Sequence, residues 1–440
     1  MKINRKLKTL SAFAAAALAL SLTVAGCGTA PNPGTTANSG GPVTISFAET
    51  MVSGTQKSAL DHLISQFESK HSNIKVTLMP EPNYGVLQQK EVAAVAAKNP
   101  PTIGQVYEDW AADFAKSGAI IPLDSYIKGK DGFSPKEIAD FVPTIWKDQQ
   151  LPDGKTWMLP FNKSDFVMYY NADKMKQLNK TAPQTWNDFA TAAQAATSGA
   201  NNSWGLTIDP GTPTAPANGT YLWISVLRSN GGHLYANGKI AFNSAQGVQT
   251  MQLFKDLYSA GALKLGSNYP GETALGAQRS LFDMSTVASY PYVLHAVNKK
   301  FNLKIAALPS GSAGQGNIMQ GTNIAIFSRT TAAQKQAAWQ FIKFLTEPQQ
   351  TAYWAQQTGY LPIRTSALPL MKAYLDSHPY QKIAADSLQY AKAQPPVPGM
   401  QQAVGYIGDA ITRVLTQKVP VQQALDQAAS KAQQALASAQ

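Results

Sequence analysis

The chain has 440 residues, of which 44% are hydrophobic, and this is enough to form a sizeable core in two or more domains. Its formal net charge is +11, but the basic residues are scattered, and Lys299-Lys300 is the only adjacent basic pair beyond residue 27. The sequence has no basic stripe interleaved with aromatic residues, which argues against binding of DNA or RNA.

The first 27 residues have the layout of a secretory signal. A charged start precedes an apolar run at 10–22, which is too short for a stable membrane span. The segment ends in Val24-Ala25-Gly26-Cys27, which resembles the lipobox of bacterial lipoproteins. Cys27 is the only cysteine, so no internal disulfide can form. We predict that the chain is exported and that Cys27 is lipidated; the alternative is a chance cysteine beside an ordinary cleavage site. The charged residues at the start are Lys2, Arg5, Lys6 and Lys8.

Residues 28–42 contain no large apolar side chain and are predicted to be a flexible linker. Beyond the signal no apolar run approaches twenty residues, so no other membrane crossing is expected. These features predict a body that is anchored by Cys27 to the outer face of the bacterial cytoplasmic membrane.

The first part of the mature chain alternates strand and helix patterns. Apolar residues alternate at 43–47 and 74–78, they recur at helical spacing at 59–67, and residues 87–97 predict a second helix before a strand at 103–107. Such alternation is typical of an α/β domain with a mostly parallel sheet. Ligands of these sheets bind beyond the carboxyl ends of the strands. A site is therefore expected at the loops that follow Phe47, Leu78 and Tyr107.

The later chain continues the mixed pattern. Thr185 is a predicted N-cap of a helix that ends near residue 197, and 199–220 is predicted to be a long irregular loop. Residues 303–308 and 323–327 indicate strands, and 338–345 indicates a helix. No internal repeat is visible, which argues against a solenoid.

The sequence contains no recognisable catalytic or metal-binding motif. The five histidines are scattered, and there is no HExxH, GxSxG or phosphate-binding loop with a lysine. Carboxylate pairs such as Glu108-Asp109 leave a glycoside hydrolase open as an alternative. We predict no catalytic residue, no metal and no cofactor.

Aromatic residues are frequent near predicted turns and element ends. Aromatic rings stack on sugar rings, and convergent polar groups would complete a site for a hydroxyl-rich ligand. The alternative for each aromatic residue is that it packs in the hydrophobic core and does not contact a ligand. The set is Tyr84, Tyr107, Trp110, Trp157, Trp204, Trp223, Tyr290 and Tyr360.

Five blocks of sequence, in order, resemble the family 1 extracellular solute-binding proteins of ABC importers. The resemblance implies a two-lobed, type II periplasmic-binding-protein-like α/β fold with the ligand cleft between the lobes. It implies a first lobe at 43–155 plus 296–345 and a second at 156–295 plus 346–440. The blocks are 118–123, 159–162, 169–171, 183–186 and 358–362.

Within this family, the chain is most similar to binding proteins for sn-glycerol 3-phosphate. The matching motifs are Asn83-Tyr84, the segment 105–108, the segment 161–164 and Thr358-Gly359-Tyr360. A carboxylate can accept hydrogen bonds from a polyol, and hydroxyl groups can donate to ligand oxygens. The resemblance implies ligand contacts at Tyr84, Glu108, Ser164, Ser289, Gly321 and Tyr360.

One departure from that pattern concerns the phosphate. The family's phosphate-binding arginine follows a Pro-rich segment, whereas here Pro395-Pro396-Val397-Pro398 is followed by no arginine until Arg413. Without a bidentate guanidinium, a phosphate loses its best anchor. A neutral mono- or oligosaccharide is therefore at least as well supported as a glycerophosphate compound.

The resemblance implies a monomeric, non-enzymatic binding protein that delivers a sugar, polyol or glycerophosphate compound to ABC importer permease subunits. Two alternatives stay open. One is a surface-anchored carbohydrate-active hydrolase, which needs an acidic pair across the cleft. The other is an adhesion or sensor module, which would bind through an exposed patch.

Overall fold

The computed structural model describes residues 41–439. The predicted signal, Cys27 and nearly all of the predicted linker lie outside the described residues. The strands, in chain order, are β1 Val43–Glu49, β2 Ile74–Pro80, β3 Ile103–Val106, β4 Leu159–Pro160, β5 Ser164–Asn171, β6 Trp204–Ile208, β7 Gly211–Thr212, β8 Ala215–Pro216, β9 Tyr235–Ala236, β10 Lys239–Ile240, β11 Leu263–Leu265, β12 Ser280–Thr286, β13 Leu303–Ala306, β14 Asn317–Gln320, β15 Asn323–Ile326 and β16 Ala391–Lys392.

Helices account for most of the remaining chain, together with one short 3-10 segment, Val287–Ser289. The helices are α1 Gly54–Lys70, α2 Tyr84–Ala96, α3 Glu108–Lys116, α4 Asp124–Ile127, α5 Pro135–Ala139, α6 Pro143–Lys147, α7 Ala172–Gln177, α8 Trp186–Ala195, α9 Asn218–Ser229, α10 Ala245–Ser259, α11 Pro270–Gly276, α12 Tyr290–Val297, α13 Ala332–Leu345, α14 Pro348–Thr358, α15 Ala367–Leu370, α16 Lys372–Ser377, α17 Pro379–Ser387, α18 Met400–Thr416 and α19 Val421–Ala439.

A five-stranded sheet forms the first lobe, with strand order β2-β1-β3-β15-β4. β1 pairs in parallel with β2 and β3, because α1 and α2 carry the chain back across the sheet between these strands. β15 runs antiparallel to β3 and β4. Phe341 of α13 packs against Phe47 of β1 and Phe67 of α1, with ring centroids 6.1 Å and 5.0 Å away. These contacts fix the two helices on one face of the sheet.

A larger sheet forms the second lobe, with strand order β11-β6-β12-β5-β14-β16, and β13 pairs with the far part of β5. Side chains of a strand alternate between the two faces of its sheet. Phe166 and Met168 therefore belong to the core that contains α8, α9, α10, α18 and α19, whereas Val167 and Tyr169 face the core that includes α12. Because both faces of β5 are covered, the middle of this strand, 166–170, is apolar or aromatic.

In the described residues, the chain changes sheets after β4, after β14 and between β15 and β16. The predicted lobe limits near 155, 295 and 345 differ from these positions. β13 returns antiparallel to β5, so it stays in the second sheet beyond the predicted limit near 295. Trp354 of α14 packs on Phe161, which follows β4, with ring centroids 4.8 Å apart, so α14 stays beside the first sheet beyond the predicted limit near 345. We therefore propose limits that follow the sheets and the helices packed on them, with 43–160 and 323–370 in the first lobe and 164–320 and 379–439 in the second.

The segment 199–220 differs from the predicted irregular loop. It contains β6, which lies between β11 and β12 in the second sheet, and the short β7–β8 hairpin, and it ends in the first turn of α9. Gly205 explains the tight packing of β6, because a Cβ there would lie 2.3 Å from the Cβ of Ala193. The strand β6 has only five residues, and the many Gly, Pro, Asn and Thr residues around it made the sequence pattern indicate a loop.

Within residues 41–439, we find no helix with the length and apolar character that a membrane crossing requires.

Candidate functional site

A cavity of about 880 Å³ lies where loops from both lobes meet. This volume is within the range of small-molecule binding sites. The first-lobe loops are those that the strand-helix pattern places at a site, after β1, β2 and β3. The lining segments lie within 50–56, 82–85 and 107 of the first lobe, within 207–221, 265–272 and 283–292 of the second, and at 164, 320, 321, 360 and 401.

Five of the six residues that sequence comparison suggests as ligand contacts line this cavity. Tyr84 begins α2, Ser164 begins β5, and Gly321 lies between β14 and β15. Ser289 ends the 3-10 segment before α12, and Tyr360 follows α14. The fold thus brings together residues that are up to 276 positions apart in the chain, from Tyr84 to Tyr360. Their role as ligand contacts stays a prediction.

Hydrogen bonds join the two strand connections beside the cavity, behind Tyr84 and Gly321 of its lining. The Asn162 side chain accepts from the backbone N–H and the hydroxyl of Thr322, at 2.8 and 2.6 Å. Its amide donates to the Tyr84 hydroxyl at 2.9 Å, and Gln105 donates to the Thr322 hydroxyl at 2.8 Å. Asn162 therefore links the connections between the lobes to a side chain of the cavity wall.

Gly321 lies at the closest approach of these connections. Its φ is +91°, and a Cβ at this position would lie 1.7 Å from the carbonyl oxygen of Asn162. Both the backbone conformation and the lack of space require glycine here. Gly321 therefore allows β14 and β15 to pass directly beside the connection from β4 to β5.

Tyr360 lies beside Tyr84 on the cavity wall. Its ring stacks on Trp354 with centroids 5.9 Å apart, and Gln381 donates to its backbone carbonyl at 3.0 Å. Burial, and then the neighbouring Tyr84, raise the pKa of Tyr360 well above its ordinary value, so the hydroxyl stays protonated and able to donate. Two phenol groups are thus held at the junction of the lobes.

Glu108, the sixth predicted contact, does not line the cavity. Its side chain is buried, and it accepts from the Lys163 ammonium at 2.7 Å and from the Asn323 amide at 3.0 Å. Lys163 also donates to Asp148 at 2.8 Å and is itself fully buried. The sequence motif identified the Glu108 carboxylate near the site but gave no sign of the buried lysine that donates to it. We revise the expected role of Glu108 from ligand contact to partner of Lys163.

The charges of this buried triad of Glu108, Asp148 and Lys163 are unequal. Burial opposes ionisation of Glu108, but Lys163 and the hydrogen bonds outweigh it and hold the pKa of Glu108 below its usual value. Burial and the charge of Glu108 raise the pKa of Asp148 well above its usual value. Burial also opposes the charge on Lys163, yet the two carboxyl groups raise its pKa. Glu108 and Lys163 therefore form the ion pair, and Asp148 supports it.

The charged side chains that line the cavity are all acidic. They are Asp209, Glu272 and Asp283, and among the described residues that line it none is lysine or arginine. Arg413, the first arginine after the Pro-rich segment, lies in α18 near Asp409 and bonds Gln427 instead of facing the cavity. The cavity thus offers acceptors and hydroxyl donors but no cation to an anionic ligand.

Of the aromatic residues that the sequence suggested, Tyr84, Tyr107 and Tyr360 line the cavity. Trp110 and Trp223 are almost fully buried core residues, which was the alternative for each of them. Sequence analysis missed Tyr221, Tyr269 and Tyr292. Tyr269 had a local signal, because it stands between Asn268 and Pro270 just after a short strand, where an aromatic residue is not needed for the core.

Within the described part of the chain, no group of histidine, cysteine, aspartate and glutamate side chains is arranged to hold a metal ion.

Comparison with known proteins agrees with the fold. The sn-glycerol-3-phosphate-binding periplasmic protein UgpB of Pectobacterium atrosepticum is 27% identical over 411 residues, 84% of this chain and 86% of the relative. The corresponding protein of Salmonella typhimurium is also 27% identical, over 89% of this chain and 92% of its own.

Two solved structures share the fold at 20% sequence identity. The GacH receptor of Streptomyces glaucescens, solved unliganded and with acarbose, superposes with a TM-score of 0.78 over 90% of this chain and 98% of its own. UgpB from Mycobacterium tuberculosis, in complex with glycerophosphocholine, has the same TM-score over 90% and 99%.

The profile of the bacterial extracellular solute-binding proteins matches residues 62–382, which span most of both lobes and the cavity between them. This chain therefore belongs to the family of bacterial extracellular solute-binding proteins.

Proposed function

We propose that this protein captures a hydroxyl-rich solute, a sugar or polyol without a dianionic phosphate group, in the cavity between its lobes. The observation that carries this proposal is the composition of the cavity wall. Six tyrosines supply flat apolar faces, and serine, threonine, asparagine and glutamine side chains supply donors and acceptors. The tyrosines are Tyr84, Tyr107, Tyr221, Tyr269, Tyr292 and Tyr360.

The absence of a basic side chain from the described lining argues against glycerol 3-phosphate, although relatives are named for that ligand. The strongest protein anchor for a phosphate group is a bidentate arginine, with lysine next, and neither residue type lines the described cavity. Here the carboxylates Asp209, Glu272 and Asp283 would repel a dianion. The other relatives widen the choice of solute, because solved structures with this fold are described with acarbose and with ribitol.

We propose that the loaded protein delivers its solute to the permease subunits of an ABC importer, and that a lipid on Cys27 keeps it at the outer face of the cytoplasmic membrane. The relatives are named as periplasmic or extracellular proteins, which supports export. Closure of the lobes around a solute would bury the sugar faces and create the surface that a permease recognises.

We propose that the protein binds its solute and does not transform it. The family and the relatives are binding proteins by name, which supports this. The hydrolase alternative requires an acid and a base on opposite sides of the bond to be cleaved. The carboxylates of the cavity, Asp209, Glu272 and Asp283, all come from the second lobe, and this arrangement favours binding over hydrolysis.

Thermal unfolding of the purified protein in the presence of a solute panel tests this proposal. The panel contains neutral mono-, di- and trisaccharides, ribitol and glycerol 3-phosphate. Saturation at 100 times the dissociation constant stabilises the native state by about 2.7 kcal/mol, which a melting curve resolves. We expect a shift with at least one neutral solute and none with glycerol 3-phosphate. A shift with glycerol 3-phosphate alone would contradict the proposal, and release of free sugar from a bound oligosaccharide would contradict the non-enzymatic role.

A further inference from the structure

Three carboxylates line the cavity, but they differ in their partners. Asp209 accepts from the backbone N–H groups of Gly211 and Asn268, at 2.9 and 3.0 Å, and thereby shapes its own loops. Asp283 accepts from the Ser285 hydroxyl at 2.8 Å. Glu272 forms no hydrogen bond or ion pair with any described residue, although it lines the same cavity. Glu272 is thus the carboxylate that is available to a ligand.

Tyrosine faces accompany Glu272 in the cavity. Tyr269 is 58% exposed and Tyr292 is 36% exposed, so neither ring is used to fill the core. Both lie close enough to Glu272 for its charge to act on their hydroxyl groups, and Tyr84 of the first lobe acts on both. The Tyr292 hydroxyl also lies near Gly54 at the start of α1, where an added Cβ would be 3.8 Å away. This part of the cavity is therefore bordered by both lobes.

The backbone that presents Tyr269 is strained. Tyr269 has φ +56° and ψ +50°, in the left-handed region that a bulky residue rarely adopts, and Asn268 before it has φ +57°. Pro270 follows, although a residue before proline is disfavoured in helical conformations. Strain of this kind persists where the surroundings over-determine it, and it is concentrated at ligand sites. Here the result is an aromatic ring exposed on the cavity rather than packed in the core.

We propose that Glu272, with the rings of Tyr269 and Tyr292, forms a subsite for a cationic nitrogen carried by a hydroxylated solute. Aromatic faces attract ammonium groups, and an unpaired carboxylate supplies the counter-charge. The absence of lysine and arginine from the described lining leaves nothing there to repel a cation. This inference deepens the proposed function and rests on it. Two sources share the chemistry, an amino sugar and a choline-bearing polyol such as glycerophosphocholine.

The groups around Glu272 also predict how a cation would bind at different pH. Burial, and then the charge of Asp283, raise the pKa of Glu272 to about 7, and burial raises that of Asp283 to about 6. Tyr269 and Tyr292 stay neutral, because burial raises the pKa of each hydroxyl. Lys300 points away from this group, since its ammonium donates to the backbone carbonyl of Gly276 at 2.8 Å. Ionisation of Glu272 near neutral pH would therefore strengthen binding of a cation.

Isothermal titration of the purified protein with matched solutes tests the subsite. The amine probes are glucosamine and its β-1,4-linked trimer, and the neutral partners are glucose and the β-1,4-linked cellotriose. Glycerophosphocholine and glycerophosphoglycerol, which share a phosphodiester and differ in the cation, form a second pair, and glycerol 3-phosphate is included as the dianion. We expect the cationic member of at least one pair to bind about tenfold more tightly than its partner. Affinity for that member should rise roughly tenfold from pH 5.5 to pH 7, as a carboxyl group with a pKa near 7 ionises.

Variants separate the subsite from the rest of the cavity. Glu272→Gln should abolish the preference for the cation and its pH dependence, so that the cationic solute binds no more tightly than its neutral partner. Tyr269→Ala should weaken binding of the cationic solute, whereas Tyr269→Phe, which keeps the aromatic face, should not. Asp386→Asn, in an exposed ion pair with Lys382, is the matched control and should change nothing.

The outcomes distinguish this inference from the proposed function. If neutral sugars bind as tightly as their amine partners, or more tightly, the cation subsite is refuted and the proposed function stands. If Glu272→Gln preserves the preference for a cation, the assignment of the subsite is refuted. If glycerol 3-phosphate binds and every other solute fails, the proposed function is refuted and the subsite with it.

Discussion

Replacement of Lys163 by methionine should strongly destabilise this protein. Lys163 is fully buried, and its ammonium lies 2.7 Å from Glu108 and 2.8 Å from Asp148. Methionine fills most of the same space but removes the charge, so both carboxyl groups must stay buried without a cation. Loss of one partner of a buried ion pair typically costs about 3–5 kcal/mol. We expect Lys163→Met to lower the free energy of unfolding at pH 7 by an amount in that range.

The pH dependence of this loss follows from the carboxyl groups. Without the ammonium, burial raises the pKa of both Glu108 and Asp148, so the folded variant binds protons more tightly than its unfolded chain. A group with a raised carboxyl pKa favours the folded state more as the pH falls. The difference between Lys163→Met and the unmodified protein should therefore shrink between pH 7 and pH 5.

Urea unfolding followed by tryptophan fluorescence measures this effect. Lys57→Met is the matched control, because Lys57 pairs with Asp61 on the surface of α1, where both side chains are about half exposed. It should cost about 0.5 kcal/mol or less. Glu108→Gln should restore part of the stability lost in Lys163→Met, and alone it should change solute affinity little. A cost of Lys163→Met that is no greater than that of Lys57→Met, or that is independent of pH, would show that the buried ion pair does not stabilise the fold as proposed.

Three further predictions concern the connections and the cavity. Gly321→Ala should lower the free energy of unfolding by more than about 3 kcal/mol, because the strain of a positive φ adds to a clash with Asn162. Gly154→Ala, which shares a positive φ but faces open space, should lower it by about 1 kcal/mol. Thermal unfolding compares the two variants, and equal losses of stability would contradict the prediction. Burial raises the pKa of Asp283 in the folded state to about 6, so the free energy of unfolding should fall by up to about 3 kcal/mol as the pH rises from 4 to 7. Urea titrations should show that Asp283→Asn removes this contribution. A variant whose stability has the same pH profile as the unmodified protein would contradict the prediction. Tyr360→Ala should weaken solute binding at least tenfold in calorimetry, because it removes an aromatic face of the cavity on which a sugar ring can stack. Tyr380→Ala, outside the cavity lining, should not weaken binding. Equal effects of the two variants would show that the Tyr360 ring does not contact the solute.

Periodicity was sufficient to predict much of the fold. The alternation at 43–47 and 74–78, with helical spacing between them, identifies β1, α1 and β2, and their parallel pairing follows from the crossover. The change of sheet at 321–322 was not predictable in the same way. Nothing local distinguishes β14 from β15, and only pairing with distant strands assigns them to different lobes.

The site was partly predictable for a related reason. Tyr84 and Tyr360 belong to sequence motifs, so resemblance located them, and the fold places both on the cavity. Glu108 belongs to such a motif too, but its role depends on Lys163, which lies 55 residues away. Glu272 and Tyr269 belong to no motif, and their importance follows from what is missing around them, namely a partner for the carboxylate and a core contact for the ring.

We propose that the cavity between the lobes takes a hydroxyl-rich solute without a dianionic phosphate. Isothermal titration of the purified protein with neutral sugars, ribitol, amino sugars and glycerol 3-phosphate tests it most directly. We expect saturable binding of at least one sugar or polyol, weakened by Tyr360→Ala, and no binding of glycerol 3-phosphate. Tight binding of glycerol 3-phosphate, unaffected by Tyr360→Ala, would contradict both the solute class and the location of the site.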